Sequence, residues 1–371
     1  MKVMVVNAGS SSLKLSVIVE DRRVAERSIE RWDGTDESDA LREFVAEAGE
    51  VDAVGHRVVH GGPHYLTATH IDDDLLAYLD SADSLAPLHN PRAAEGIRAL
   101  DTVLPEVPSV ACFDTTFHLD LSAAAATYAL PRAWNERWAL RRYGAHGLSH
   151  AYAVRRAGEI TALPLGGLRA VTCHLGSGAS LAASVGGVCV DTTMGLTPLE
   201  GLVMATRSGS VDPGLVTWLI RRGGLSPDEV EDGLQHDAGL KGLSGTSGDL
   251  REVLDARTSG DPDASLAYDI FIHRLRREIG AMIASAGGLD ILVFTGGIGE
   301  HLPQVRVNAT RAMEYAGVVL DETNNEAIRG DGEIGSPAVD VRIVVVSAGE
   351  DFEVASQVTS VMSATRDAPL P

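Results

Sequence analysis

The sequence has 371 residues, of which 44% are hydrophobic and 22% are charged, and its formal net charge at pH 7 is −21. This length fits two or three domains of ordinary size, and the composition excludes a disordered chain. The negative charge disfavours a nucleic acid or an anionic membrane as a partner, because binding to either depends largely on Lys and Arg.

Cysteine usage and apolar runs exclude further classes of protein. The three cysteines are too few and too scattered for a disulfide scaffold or a CxxC zinc site. The first apolar run, Val3 to Val6, is too short for the core of a signal peptide. No run of about 18 apolar residues occurs that could cross a membrane as a helix. We therefore expect a cytoplasmic protein.

The first half of the chain predicts a β-hairpin followed by alternating helices and strands. Val3–Val6, a turn of small residues at Asn7–Ser12 and a second run at Leu13–Val19 predict the hairpin. The next predicted elements are a helix at Ala40–Ala48, a strand at Val51–Val54 that continues into Gly55-His56-Arg57, a helix from Asn90-Pro91 towards Leu100, and a strand at Val107–Phe113.

The second half predicts more strands and helices in alternation, which is typical of an α/β protein with parallel sheets. The predicted strands are Leu168–Cys173, Leu181–Val185, Leu289–Phe294 and Val341–Val346, and Thr295–Glu300 is predicted as a loop. The predicted helices run from His150 to Ala157, from Asp212-Pro213 to Gly223-Gly224, from Ser226-Pro227 onwards, from about Ser265 to Ala286, from about Pro303 to Ala316, and at the end of the chain.

A weak internal repeat links the two halves. Asn7-Ala8-Gly9-Ser10 lies between two predicted strands, and His174-Leu175-Gly176-Ser177 lies between two others. The repeat favours a duplicated fold with one phosphate-facing loop from each half, but four matched positions leave duplication open.

Three loops that follow predicted strands suit a nucleotide. Asn7–Lys14 combines a tight turn with three hydroxyls and an ammonium, which are suitable partners for phosphate oxygens. It is not a GxxxxGK[ST] loop, and a solvated hairpin turn is the alternative. Gly176–Ser180 and Gly296–Glu300 are individually weak signals that packing glycines would also explain. Together the three loops predict a nucleotide site.

Two arginines and two carboxylates follow apolar segments. Arg57 and Arg207 are flanked by small residues, and a guanidinium in such a place suits carboxylate and phosphoryl oxygens, although a surface ion pair is the alternative. Asp114 and Glu350 follow predicted strands, where a hard cation and its phosphates would lie. The segment His146–His150 lacks the Glu of HExxH, and no GxSxG follows a strand, so zinc and serine hydrolases are disfavoured.

Motifs spread over nearly the whole chain resemble those of the acetate kinases, which belong to the superfamily of acetate and sugar kinases, heat-shock cognate proteins and actin. In chain order they are NAGSSSLK at Asn7–Lys14, GHRVVHGG at Gly55–Gly62, PLHNP at Pro87–Pro91, FDTTFH at Phe113–His118, YGAHGLSH at Tyr143–His150, HLGSGAS at His174–Ser180, DTTMGLTPLEGLVMATRSG at Asp191–Gly209, SGTSGDLRE at Ser244–Glu252 and GGIGEH at Gly296–His301.

The resemblance implies an α/β fold of two duplicated actin-like (ribonuclease H-like) domains with a nucleotide cleft between them. Residues 1–118 and about 352–371 would form the N-terminal domain, on the carboxylate and phosphate side. Residues 119–351 would form the C-terminal domain, which would bind the nucleotide and form a homodimer.

The activity that the resemblance implies is reversible, magnesium-dependent transfer of a phosphoryl group from ATP to acetate, giving acetyl phosphate and ADP by direct in-line attack. Mn²⁺ is expected to substitute for Mg²⁺. A propionate or butyrate kinase of the same family is the alternative, although butyrate kinases usually carry Pro and Thr where this chain has Ala8 and Ser11. A nucleotide-driven binding module or filament is a third interpretation, for which a peptide-binding domain or filament insertions would be needed.

The resemblance also implies roles for individual residues. The implied catalytic residues are Arg57, Asp114, His146, His174 and Arg207. The implied acetate-binding residues are Arg57, Val59, Leu88, His89, Pro198 and Arg207. The implied nucleotide-binding residues are Ser10, Ser12, Lys14, His174, Leu175, Gly176, Ser177, Gly178, Asp249, Leu250, Arg251, Gly297, Ile298, Gly299, Glu300 and His301. The implied magnesium ligands are Asn7 and Glu350.

The chain departs from the family pattern at a few positions. Ser177 and His301 stand where Asn is usual, Ala145 stands where Phe is usual, and Ala348–Asp351 stands where Thr-Asn-Glu-Glu is usual. Because Ala145 precedes His146, the smaller side chain is expected to leave space beside the acetate pocket.

Overall fold

The computed structural model describes residues 1–9, 12–32, 39–81 and 90–367. The chain divides into two compact units. Unit 1 comprises Met1–Leu119, Ala145–Tyr152 and Gly349–Pro371, and unit 2 comprises Asp120–Gly144 and Ala153–Ala348. Residues 145–152, which the family-based division places in the C-terminal domain, therefore group with unit 1.

Each unit contains one six-stranded sheet. The strands are β1 (Lys2–Ala8), β2 (Ser12–Val19), β3 (Arg22–Glu30), β4 (Ala53–Val58), β5 (Thr69–His70), β6 (Ser109–Phe113), β7 (Arg169–Leu175), β8 (Ala179–Val185), β9 (Val188–Thr192), β10 (Ile291–Thr295), β11 (Gly332–Glu333) and β12 (Arg342–Val345).

Helices account for most of the remaining described chain. They are α1 (Asp39–Ala48), α2 (Asp73–Asp80), α3 (Asn90–Val103), α4 (Ala123–Ala126), α5 (Arg132–Trp138), α6 (Gly147–Thr161), α7 (Pro213–Trp218), α8 (Pro227–His236), α9 (Gly239–Ser244), α10 (Leu250–Thr258), α11 (Pro262–Ser285), α12 (Gly296–His301), α13 (Pro303–Thr310), α14 (Glu322–Ala327) and α15 (Glu350–Asp367). A π-helical turn, Leu219–Gly223, continues α7. Within the described ranges, no helix combines the length and the apolar character needed to cross a bilayer.

The two sheets have the same topology, so the fold is duplicated. The strand order is β3-β2-β1-β4-β6-β5 in unit 1 and β9-β8-β7-β10-β12-β11 in unit 2. In both, the first strand pairs antiparallel with the second and parallel with the fourth. Even the bulges correspond, since one lies between Val17 and Ile18 and the other between Ala183 and Ser184. The predicted parallel pairing and the predicted hairpin are both confirmed, since β1, β4 and β6 pair in parallel and the short β1–β2 hairpin joins antiparallel neighbours.

One close contact in unit 1 places α15 beside the end of β4. A Cβ added to Gly55 would lie 2.5 Å from Val354 Cγ1 and 2.7 Å from Val358 Cγ2, so only glycine lets the helix approach this closely. Alternate residues of a strand face the same side of the sheet. Arg57 therefore faces the same side as Gly55, which brings it next to Glu350 at the beginning of α15.

Local capping signals predicted several helix ends correctly. Ser226 and Glu229 form the expected capping box of α8, with Ser226 N–H donating to Glu229 Oε2 at 2.7 Å. Helix α11 begins at Pro262, before the expected Ser265, because Asp261 accepts hydrogen bonds from the first free N–H groups. The predicted loop Thr295–Glu300 is largely helical instead, as α12.

Candidate functional site

Four polar residues of unit 1, here called the Arg57 cluster, meet near the carboxyl ends of β4 and β6: Asn7, Arg57, Asp114 and Glu350. Arg57 Nε and Nη2 donate to Asp114 Oδ1 and Oδ2 at 3.1 and 2.7 Å. The remaining nitrogen, Nη1, lies 3.2 Å from Glu350 Oε2 and 3.4 Å from Asn7 Oδ1. A bidentate guanidinium–carboxylate pair fixes the plane of the guanidinium, so Arg57 is held in one orientation.

Burial makes these charges depend strongly on one another. The Asp114 side chain is 1% exposed, whereas those of Arg57 and Glu350 are each 19% exposed. Burial alone would lower the pKa of Arg57, but the charges of Asp114 and Glu350 leave it above its usual value. Burial raises the pKa of Glu350; Arg57 opposes this increase and Asp114 adds to it. A further cation at Glu350 would favour its ionised form.

The backbone around Asp114 links it to His146. Asp114 N–H donates to Val58 O at 2.9 Å, and Asp114 O accepts from Gly147 N–H at 2.8 Å. A Cβ on Gly147 would lie 2.2 Å from Asp114 O, so this contact requires glycine. His146 has φ +55, a left-handed conformation that is costly for a non-glycine residue and is often found at functional sites. The start of α6 therefore holds His146 one residue from the Asp114 contact.

The β1–β2 hairpin contributes to the same region of unit 1. Asn7 and Lys14 are register partners across the hairpin, and Gly9 N–H donates to Ser12 O at 2.8 Å. The Lys14 side chain is exposed, and its charge acts to lower the pKa of Glu350. Lys14 therefore belongs electrostatically to the Arg57 cluster.

Further residues of unit 1 have implied roles in acetate or nucleotide binding. Ser10, Leu88 and His89 lie outside the described residues. Val59 directly follows β4 and is partly buried.

Unit 2 contains a pocket of about 420 Å³, which is within the usual size range of small-molecule sites. Eight residues with implied nucleotide-binding roles line it: Gly176, Ser177, Asp249, Leu250, Arg251, Gly297, Ile298 and His301. No nucleotide role was predicted for the other lining residues, which are Met204, Ala205, Leu240, Ser247, Gly248, Phe271 and Leu302. Met204, Ala205, Ser247 and Gly248 lie within the quoted motifs, whereas Leu240, Phe271 and Leu302 lie outside them. Most of these residues are apolar. The pocket therefore combines an apolar wall, which would suit a planar base, with glycine-containing segments whose backbone N–H groups can donate hydrogen bonds.

Backbone hydrogen bonds join two of the loops that line the pocket. Ala205 N–H donates to Ser177 O at 3.1 Å, and Ala205 O accepts from Lys241 N–H at 2.9 Å. Gly248 has φ +90, and a Cβ there would lie 2.5 Å from Ala205 O. The pocket is therefore assembled from segments far apart in sequence.

Asp249 and Arg251 stand together at the start of α10. Asp249 Oδ1 accepts from Arg251 N–H at 2.9 Å and from Arg251 Nε at 3.0 Å. Hydrogen bonds from the side chain and backbone of Arg251 lower the pKa of Asp249 to about 2. Asp249 is therefore ionised at neutral pH, and both of its oxygens accept hydrogen bonds from Arg251.

Five residues of unit 2 with implied nucleotide roles do not line this pocket: His174, Leu175, Gly178, Gly299 and Glu300. Ser12 and Lys14, which belong to unit 1, do not line it either. Leu175 and Gly299 are buried. Glu300 Oε1 accepts from Ala348 N–H at 2.9 Å. His174 lies on β7, in register with Thr295 of β10, and its Nε2 approaches Gly176.

Arg207 is a cation with few partners. Its Nη1 lies 3.4 Å from Pro198 O and 3.8 Å from Met204 Sδ. Burial lowers the pKa of Arg207, and no ion pair with a carboxylate is found for it among the described residues. A half-buried guanidinium without a protein counter-ion favours an anionic ligand. Pro198 and Arg207, which the resemblance assigns to one substrate, are in contact.

The donor set in unit 1 fits a magnesium ion held by few protein ligands. Asn7 Oδ1 and Glu350 Oε2 are hard oxygen donors that converge on the same atom, Arg57 Nη1. Nowhere in the described part of the chain do three or more His, Cys, Asp or Glu side chains gather as a metal site. Mg²⁺ typically takes one or two protein carboxylates and completes its shell with phosphates and water, so two ligands suffice.

Comparison with known proteins identifies the family. The Acetokinase family matches residues 37–356. An acetate kinase of a Synechococcus strain is 48% identical over 84% of this chain and 77% of its own length. The crystal structure of Porphyromonas gingivalis acetate kinase is similar with a TM-score of 0.89 at 35% identity, covering 97% of this chain and 99% of that one. A propionate kinase from Francisella tularensis has a TM-score of 0.87 at 34% identity, covering 96% and 98%. The chain therefore belongs to the acetokinase family.

Proposed function

We propose that the protein transfers the γ-phosphoryl group of ATP to acetate, reversibly, and so forms acetyl phosphate and ADP. The observation that carries this proposal is Arg57, which Asp114 holds by two hydrogen bonds while Nη1 still faces the hard donors Asn7 and Glu350. In a member of the acetokinase family, a guanidinium fixed in this way suits a carboxylate substrate and a migrating phosphoryl group.

Acetate needs no general base. Its carboxyl group resembles that of Glu, with a pKa of about 4.3, so it is ionised at neutral pH. One carboxylate oxygen attacks the γ-phosphorus, and the bond from that phosphorus to the β–γ bridging oxygen breaks as ADP leaves. Such a reaction depends mainly on positioning and charge neutralisation.

Asp114 is proposed to position Arg57 rather than to transfer a proton. Its two oxygens both accept hydrogen bonds from Arg57, and its side chain is buried. Arg57 then presents one fixed cation to the reacting oxygens. His146 and Lys14 are proposed to offset further charge on the equatorial phosphoryl oxygens.

Unit 2 is proposed to bind the nucleotide and to supply the second guanidinium. The apolar wall of the pocket would hold the base, and Asp249 would accept hydrogen bonds from the ribose. Arg207 lacks a carboxylate partner among the described residues, so a bound anion would compensate its charge.

Asn7 and Glu350 are proposed to be the residues that would hold magnesium, with manganese as a substitute. When bound, the ion neutralises phosphate charge. The chain's own contribution is to hold two oxygen donors close to Arg57.

We also propose a homodimer formed through unit 2. Several large apolar side chains near α7 are exposed, among them Leu215 and Trp218, the latter at 56%. Clusters of this kind usually mark an interaction surface. Light scattering that gave the mass of a single chain would contradict the dimer.

The cytoplasmic location stays a prediction.

Trapping the product tests the proposed reaction. The protein is incubated with ATP, Mg²⁺, acetate and hydroxylamine, which converts an acyl phosphate into a coloured hydroxamate. Hydroxamate that depends on both ATP and acetate is expected. ATP hydrolysis without hydroxamate would instead support a nucleotide-driven binding module.

Propionate is a second candidate substrate because of Ala145. This residue is buried directly before His146, at a position where the family usually carries a larger ring, and its carbonyl bonds His118 Nε2 at 3.0 Å. One buried methylene is worth only about 0.8 kcal/mol. We expect kcat/KM for propionate within about tenfold of that for acetate.

Substitution of Ala145 tests whether its small side chain is the reason that propionate is accepted. Ala145→Phe is expected to shift the kcat/KM ratio towards acetate and to leave KM for ATP unchanged, which serves as the internal control. Exclusion of propionate by about 100-fold in the wild type would mean that another group fills the space.

A further inference from the structure

The parallel pairing of β10 with β12 ends just before the chain leaves unit 2. Val346 N–H donates to Phe294 O at 2.9 Å, and this is the last backbone bond of the pairing. The next two backbone N–H groups donate hydrogen bonds to side-chain carboxylates instead of to a neighbouring strand. Ser347 N–H donates to Asp331 Oδ1 at 2.8 Å, and Ala348 N–H donates to Glu300 Oε1 at 2.9 Å.

The duplicated fold shows what these carboxylates replace. The matched registers of the two sheets make Asp114 of unit 1 the equivalent of Ala348. Asp114 N–H continues its ladder by donating to Val58 O at 2.9 Å. In unit 2 the corresponding N–H group, that of Ala348, donates to the Glu300 carboxylate instead. The end of the strand is therefore held by a side chain in unit 2 and by a backbone carbonyl in unit 1.

Both carboxylates are themselves anchored within unit 2. Asp331 Oδ2 accepts from Arg156 Nε at 2.7 Å. The backbone on either side of the Glu300 Cα is also fixed, because Arg306 Nη1 donates to Gly299 O at 2.7 Å and to Glu300 O at 2.8 Å. Arg306 is 1% exposed. Glu300 therefore extends from a rigid turn.

The residues after Ala348 lead directly to the Arg57 cluster. The chain re-enters unit 1 at Gly349, whose carbonyl accepts from Phe352 and Glu353 N–H at 3.1 and 3.2 Å. A Cβ on Gly349 would lie 2.4 Å from the ring of Tyr152, so the backbone is tightly confined. Glu350 follows at once, 3.2 Å from Arg57 Nη1.

We propose that Glu300 is a positioning residue for the reaction: by holding Ala348, it sets where the chain enters α15 and hence how Glu350 meets Arg57. This inference rests on the proposed function, in which Arg57 acts on the phosphoryl group and Glu350 would hold magnesium. It gives Glu300 a role other than the nucleotide contact that the family resemblance implies. Since α12 also carries Gly297 and Ile298 of the pocket, the same carboxylate ties the pocket wall to the segment that precedes Glu350.

Two variants and one control test the proposal. Glu300→Ala removes the acceptor, whereas Glu300→Gln keeps an oxygen that can accept from Ala348 N–H. Glu314→Ala is the control, because Glu314 is an exposed glutamate of the same unit outside the pocket. Three quantities are measured: kcat for acetyl phosphate formation, the affinity for ADP without metal, and amide hydrogen exchange of peptides covering residues 346–353.

Glu300→Ala is expected to lower kcat about tenfold and to speed exchange at Ala348 about tenfold, as loss of a charge-assisted hydrogen bond would. Metal-free ADP affinity should stay within about twofold of wild type, and Glu300→Gln should recover most of both losses. Glu314→Ala should resemble wild type.

Other outcomes overturn the proposal. A loss of ADP affinity in both variants with unchanged exchange would make Glu300 a nucleotide ligand. Faster exchange with unchanged kcat would show that the hydrogen bond does not serve the reaction. Failure of the proposed function is distinguishable, because the wild-type protein itself would then form no acetyl phosphate.

Discussion

Arg57→Ala is expected to lower kcat for acetyl phosphate formation by at least about 100-fold, the usual cost of removing one preorganised charge-stabilising contact. Arg57 is the only one of the proposed cations that the described structure holds by a bidentate bond, through Asp114. Arg57→Lys should restore only part of the rate, because an ammonium cannot reproduce the planar fork.

The same substitution should also destabilise the protein. Arg57→Ala leaves Asp114, which is 1% exposed, and the largely buried Glu350 without their shared cation. Breaking a buried ion pair from one side is strongly destabilising, so we expect a lower Tm. Arg98→Ala is the matched control in unit 1, since Arg98 forms an exposed pair with Asp80 and such pairs contribute little. An alanine variant with near-normal kcat at saturating acetate would remove Arg57 from the mechanism.

Arg207→Ala should lower kcat to a similar extent, by at least about 100-fold, but should not lower Tm. The difference follows from its surroundings. Burial lowers the pKa of Arg207, and its contacts are the carbonyl of Pro198 and the sulfur of Met204 rather than a carboxylate. Removing a half-buried cation that has no carboxylate partner in the described parts of the chain relieves a desolvation cost.

Kinetics and thermal unfolding of the same preparations test this contrast. Arg311→Ala is the control in unit 2, because Arg311 is exposed and outside the pocket. We expect full activity and an unchanged Tm for it. A marked fall in Tm for Arg207→Ala would show that Arg207 supports the fold, and unchanged kcat would exclude it from the reaction.

Local signals in the sequence predicted much of the fold. The hairpin around Asn7–Ser12 and the capping box at Ser226 depend on residues only a few positions apart, and the structure confirms both. The internal repeat matches at only four positions, so the sequence alone did not decide whether the fold is duplicated. It became clear only from strand order and register, which depend on pairing between distant segments.

The features that sequence reasoning missed depend on distant contacts. α12 forms where a loop was expected, and its first residue, Gly296, has φ +77 and lies where an added Cβ would be 2.7 Å from Leu175 O. The apolar pocket residue Phe271 lies outside every quoted motif, so no local pattern could identify it. The bond between Glu300 and Ala348 joins residues 48 positions apart and likewise leaves no local signal.

Among the candidate site residues, those in short polar motifs were the most predictable. Arg57 ends one predicted strand and Asp114 directly follows another, and parallel neighbouring strands bring such positions together. The different environments of Arg57 and Arg207, one paired and one without a carboxylate partner in the described chain, depend on packing that the motifs do not encode.

The central claim is reversible phosphoryl transfer between a nucleotide and acetate, and the reverse direction tests it most directly. Purified protein is mixed with acetyl phosphate, ADP and Mg²⁺, and ATP is measured by luciferase luminescence, with Arg57→Ala and Arg207→Ala alongside. We predict that wild type forms ATP only when acetyl phosphate and ADP are both present, and that each variant forms it at least about 100-fold more slowly. No ATP from wild type, or equal rates from all three proteins, would contradict the account.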